Sequence, residues 1–100
     1  MIYIFHLIDK PHQATLRLQM RPEHKAYLAQ MHNRIAFAGP LTDEQGQMVG
    51  SLLAIDFESR DDAQQWLSQE PFTKAGVYGE VRIDGFMNLW PQKMGFPPQD

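Results

Sequence analysis

Two short stretches of this chain are apolar on both of their alternating faces. A β-strand of that kind must be covered from both sides. In residues 2–8, Ile2, Ile4 and Ile8 lie on one face and Tyr3, Phe5 and Leu7 on the other, with His6 interrupting the first. In residues 51–57, Leu53, Ile55 and Phe57 alternate with Leu52 and Ala54. Side chains alternate across a strand with a period of two, so both stretches predict strands at the centre of a sheet. Residues 77–86 differ: Val77, Val81 and Ile83 alternate with Glu80, Arg82 and Asp84. One wet face predicts an edge strand.

The longest connection, residues 21–41, carries a helical pattern. Pro22 suits a first helical turn, because its φ is fixed and its missing N–H has no partner there anyway. His24, Leu28, Met31 and Ile35 then recur at i, i+4, i+7 and i+11, with Tyr27 beside them. This is one stripe of a 3.6-residue period. It predicts a main helix starting at Pro22, with His24 in its first turn near the positive end of the helix dipole. A short strand over 35–38 should follow, stopped by Gly39-Pro40. Residues 12–20 fit neither period well, and they read as a helical turn separated from the main helix by a break at Arg21-Pro22. A polar loop with Gly46 as its tight turn leads to the strand at 51–57. Ser59 to Asp62 is a capping pattern ahead of Ala63, Trp66 and Leu67, predicting a second helix that ends near Gln69. Glu70-Pro71-Phe72 opens a short further turn, which Gly76 ends.

The order is strand, helix, strand, strand, helix, strand. That is the split βαβ, ferredoxin-like arrangement, an α+β fold with a four-stranded antiparallel sheet and its helices on one face. The other face keeps apolar side chains from both central strands. A second copy of the chain is the simplest cover, so a homodimer is expected. The tail, residues 87–100, is Pro-rich but carries Leu89, Trp90, Met94 and Phe96. It is expected to pack on the dimer, as an arm on the partner or across the mouth of a pocket.

With 100 residues, one domain spanning 1–100 is expected. Hydrophobic content of 43% argues against disorder, and a net charge of -3 without any run of Lys or Arg offers no footprint for nucleic acid or an anionic membrane. Cysteine is absent, which excludes thiolate zinc sites and cysteine nucleophiles and fits a reducing compartment. The first ten residues lack the basic start of a signal peptide and are too short to span a bilayer. A cytoplasmic protein is expected.

Across nearly its whole length the chain resembles the YCII-related (YciI-like) family. The residues that carry the resemblance are Arg21-Pro22 with His24, Ala38-Gly39-Pro40, Gly50-Ser51, Ala63 with Trp66, and Pro71-Phe72 followed by Ala75-Gly76-Val77. The resemblance implies a ferredoxin-like fold that dimerises through its sheet, as in dimeric α+β barrels, and an active site built on a His–Asp pair. The histidine maps onto His24. The aspartate maps onto Glu70, which keeps the carboxylate on a side chain one methylene longer. A related member resembles a dehydrochlorinase of chlorinated hydroxyhydroquinones, which implies small aromatic or enol-like substrates.

The residues themselves support acid–base chemistry. A carboxylate such as Glu70, accepting from one imidazole nitrogen of His24, fixes the tautomer and leaves the other nitrogen free to act as a base. The plainer alternative packs His24 on an amphipathic helix and has Glu70 cap the turn after it. Ser51, at the start of a strand, is a candidate ligand contact, as are Arg21 for an anion and Phe72, with Trp66 and Tyr78, for an aromatic wall. His24 and His32 are eight apart, about 80° out of register on a helix, so no metal site is expected from them. No phosphate loop or dinucleotide fingerprint is present, and no cofactor is expected. The expected function is an elimination, isomerisation or proton transfer on an unknown small molecule. The competing expectation is a module that binds a metabolite or a protein without turnover.

Overall fold

The computed structural model describes residues 1–97. The elements run β1 (Ile2–Asp9), α1 (Ala14–Ala29), β2 (Ile35–Thr42), β3 (Met48–Asp56), α2 (Arg60–Ser68), α3 (Pro71–Ala75) and β4 (Tyr78–Phe86). The strands form one sheet in the order β2-β3-β1-β4, and every neighbouring pair is antiparallel. This is the ferredoxin-like α+β fold. The two doubly apolar strands are central and β4 is an edge, as their patterns require.

The register divides the sheet into two faces. Phe5 lies opposite Leu53 and Ile83, and Tyr3 opposite Ile55. These side chains form the core with Leu7, Phe57, Ala63, Leu67, Phe72 and Val77. The opposite face presents Ile2, Ile4, His6 and Ile8 beside Leu52 and Ala54 of β3 and beside Glu80, Arg82 and Asp84 of β4. Phe37, paired with Ala54, extends that face onto β2 and is 39% exposed.

Two local expectations are corrected. The main helix does not begin at Pro22: α1 starts at Ala14 and runs through it. Pro22 is tolerated because it is exposed, and Leu18, whose carbonyl its missing N–H would have met, is itself 70% exposed. The first turns of α1 hid from periodicity because their deepest residue is a cation. Arg17 is 7% exposed, while Leu16 and Met20 pack beside it on the core. His24 therefore sits in the second half of the helix, away from its positive end, and Met31 and Ile35 lie beyond the helix altogether. The second correction concerns β2. It passes through Gly39-Pro40 and ends at Thr42, with Pro40 paired to Ser51.

The α2 cap is as expected: the Ser59 hydroxyl accepts from the Asp62 backbone N–H at 3.1 Å. Gly76 ends α3 at φ 82°, a left-handed conformation that glycine adopts without strain. Among the described residues no helix is long and apolar enough to cross a membrane.

Candidate functional site

The site lies where the second half of α1 and the start of α3 meet the sheet. Ser68 ends α2, and Glu70 follows in extended conformation as the N-cap of α3. Its side chain is wholly buried. Oε2 accepts the backbone N–H of Thr73 at 3.2 Å. Oε1 contacts Nδ1 of His24, which reaches it from α1. Capping and pairing are thus done by the same carboxylate. The sequence posed these as alternatives, and the two oxygens serve both.

Phe72 supports the imidazole from below. The two rings stack with centroids 4.0 Å apart and planes 9° from parallel. With Nδ1 committed to Glu70, Nε2 is the nitrogen left for chemistry, and no hydrogen bond engages it among the described residues. Phe72 is 1% exposed, and Tyr78 meets it edge-on at 6.0 Å.

A second polar cluster adjoins the first through the same ring. The Arg17 guanidinium carbon stands 4.7 Å from the Phe72 centroid. Arg17 Nε donates to Asp9 Oδ2 at 3.0 Å, and its Nη2 donates to the Gly50 carbonyl and to the Ser51 hydroxyl. The Tyr78 hydroxyl donates to Ser51 Oγ at 3.5 Å. Gly50 is needed here, since a Cβ at that position would stand 2.3 Å from the Leu7 carbonyl oxygen. Asp9 ends β1 at a register shift against β4, and its side chain is 6% exposed.

Burial sets the protonation of this cluster. Desolvation pushes the Asp9 carboxyl above its ordinary value, against the pull of Arg17. Desolvation and the negative charge of Glu70 hold the Tyr78 hydroxyl far above the ordinary tyrosine range. Tyr27 is raised by the same two causes, desolvation first. Tyr78 is therefore a permanent O–H donor near the site.

A cleft of about 630 Å³ opens between α1 and the β2–β3 edge. His24, Arg17, Ser51 and Phe72 line it, and Leu28, Ile35, Pro40, Met48 and Leu53 make its walls apolar. Arg21 also lines it, exposed at the rim. All five candidates (His24, Glu70, Ser51, Arg21 and Phe72) thus fall in one region, with Glu70 behind the wall. Trp66 does not line the cleft. It packs on Phe5 and accepts through its carbonyl from the Tyr27 hydroxyl.

His32 does line the cleft, although the helical spacing set it out of register with His24. α1 ends at Ala29, so helical angles do not apply to His32. Among the described residues no group of three His, Asp or Glu side chains is placed to hold a metal. Arg17 and Asp9 escaped the sequence reading. The missed signal was the spacing of seven from Arg17 to His24, two full turns on one helix face.

The YCII-related domain family matches residues 1–87. The chain belongs to this family. Protein YciI of Escherichia coli O6:H1 is 33% identical over 98 residues, which covers 90% of this chain and all of that relative. An uncharacterized protein of Haemophilus influenzae is likewise 33% identical over 98 residues, with the same coverage. Among solved structures, this YCII-related chain is similar to 5-chloro-2-hydroxyhydroquinone dehydrochlorinase (TftG) from Burkholderia phenoliruptrix AC1100, in complex with 2,5-dihydroxybenzoquinone. The TM-score is 0.82 at 26% identity, over 87% of this chain and 94% of that one.

Proposed function

We propose that this protein is a small enzyme that moves protons on a planar aromatic or enolisable compound, with His24 as general base and acid. The observation that carries this reading is the pairing of His24 Nδ1 with buried Glu70 on the wall of an apolar cleft. Glu70 holds the proton on Nδ1 and orients the ring, so Nε2 faces its task as the basic nitrogen. Nε2 takes a proton from a ring hydroxyl or an acidic C–H of the ligand. The resulting imidazolium is balanced by the Glu70 carboxylate. Negative charge then develops on a ligand oxygen, and the Arg17 guanidinium with the Ser51 hydroxyl stands ready to hold it. The imidazolium returns the proton to carbon for an isomerisation. For an elimination, the electron pair freed by deprotonation expels the leaving group as an anion, and the imidazolium releases its proton to solvent to regenerate the base. No step requires a cofactor.

The similarity to a dehydrochlorinase crystallised with a hydroxybenzoquinone supports the substrate class, a small ring bearing hydroxyl or carbonyl oxygens. The test follows ring C–H exchange of 2,5-dihydroxybenzoquinone in D₂O by NMR, with release of chloride from 5-chloro-2-hydroxyhydroquinone as a second readout. His24→Asn keeps a polar side chain without a titrating ring. Turnover should fall by ~10²–10⁴-fold while ligand affinity and fold are retained. Binding by the wild type with no exchange and no elimination would instead make this a binding module.

A further inference from the structure

The cleft has a charge pattern that acid–base chemistry on a bare ring does not need. Three cations of α1 line it: Arg17, Arg21 and Lys25, spaced at i, i+4 and i+8 on one helix face. They are not equivalent. Arg17 is 7% exposed at the floor and already paired with Asp9. Arg21 and Lys25 are exposed at the rim, and neither makes an ion pair or a side-chain hydrogen bond among the described residues. Among the described residues no Asp or Glu lines the cleft to answer them. Glu23, the one acid of α1, points to the far side of the helix, where it lines a shallow groove with Met20, Gln69 and Lys74. The chain as a whole carries a net charge of -3, so this cationic rim is a local exception.

We infer that the ligand carries an exocyclic carboxylate, held at the rim by Arg21 and Lys25 while its ring lies against His24. This rests on the proposed placement of a ring beside His24. The helix supplies the dimensions. Arg21 stands one turn from both Arg17 and His24, and Lys25 one turn further along, so the two free cations are ~6 Å apart along the axis. That separation suits two contacts to one planar anion. A guanidinium offers parallel N–H donors that match a carboxylate edge, and the ammonium adds a point charge. The surrounding walls, Leu28, Ala29 and Ala38, offer no competing acceptor side chain. The two rim cations therefore determine specificity, selecting carboxylated rings over neutral ones, and they take no part in proton transfer.

The experiment compares 2,5-dihydroxybenzoate with its methyl ester by calorimetric titration at low and high salt. Wild type should bind the acid at least about fivefold more tightly than the ester, with the difference shrinking as salt rises. Arg21→Gln and Lys25→Gln should each erode that preference and leave ester affinity unchanged, since both residues are exposed and outside the core. His24→Asn should keep the preference, which separates this inference from the proton-transfer reading. If His24→Asn has no turnover to lose but the acid preference persists, the rim assignment stands and the catalytic one fails. Equal binding of acid and ester, equal losses for both ligands in Arg21→Gln, or no binding of either probe at millimolar concentration would overturn the inference.

Discussion

Glu70 meets His24 with one carboxylate oxygen and holds the first turn of α3 with the other. The His24–Glu70 pair is therefore tied to the cap of a five-residue helix that also carries Phe72, the ring beneath the imidazole. Orientation of the imidazole and capping of the α3 turn fall to a single side chain.

Substitutions at Glu70 should separate these two roles. Glu70→Gln keeps an acceptor for the Thr73 N–H but removes the charge that balances an imidazolium. It should lower turnover strongly with a small loss of stability. Glu70→Ala removes the cap as well and should cost ~1–3 kcal/mol. At roughly 4–8 °C per kcal/mol for a domain of this size, the difference between the two is readable by thermal unfolding. Equal melting temperatures for the two variants would show that the cap contributes nothing.

Arg17 should matter to stability more than its place on a helix implies. Arg17→Ala leaves Asp9 charged and buried without its partner, a change that typically costs ~3–5 kcal/mol. Arg17→Lys keeps the charge but cannot reach Asp9, Gly50 and Ser51 together, because an ammonium lacks the planar fork. It should fold with reduced stability and weaker affinity for quinone-like ligands. Denaturant midpoints and ligand titration check both outcomes.

Asp9 should leave a signature in the pH dependence of stability. Its carboxyl is raised in the folded state from an ordinary value of 3.8, with desolvation as the leading cause. A raised carboxyl binds its proton more tightly when folded. Its contribution is therefore fully present below 3.8 and is lost as pH rises through the folded value. The stability difference between wild type and Asp9→Asn should accordingly move against wild type as pH climbs from acid toward neutral. Melting temperatures of both proteins between about pH 3 and 7 measure it. A difference independent of pH would show that Asp9 is not shifted.

A homodimer formed through the open face of the sheet is the fourth expectation. Ile2, Ile4 and Ile8 are half-buried there with Leu52, and Phe37 is 39% exposed. Pairing two such faces should bury more than ~1,000 Å², the scale of a stable interface. The tail should contribute, because Trp90 and Met94 are 94% and 96% exposed in the single chain. Of the tail expectation, residues 98–100 lie outside the described residues. Light scattering at micromolar concentration should return a dimer mass, and truncation after residue 88 should weaken the dimer.

The order of elements, the two central strands, the edge strand and the His24–carboxylate pair were all legible in the sequence. Each rests on local pattern or on the resemblance of short motifs: alternation in strands, a capping serine, a carboxylate before Pro71-Phe72. What only the tertiary structure decided is the company these residues keep. Arg17 donates to Ser51 from 34 positions away, and His24 meets Glu70 across 46. No periodicity carries that information. Hydrophobic patterning also misleads where a cation fills an inward position, so α1 looked broken at Pro22 although Arg17 and His24 share one face of one continuous helix. The cleft takes its opposite wall from β2, whose Ile35, Ala38, Gly39 and Pro40 line it across from that face of α1. Pairing of Pro40 with Ser51, Leu41 with Gly50 and Thr42 with Met48 carries β2 past the two breakers and sets where it ends.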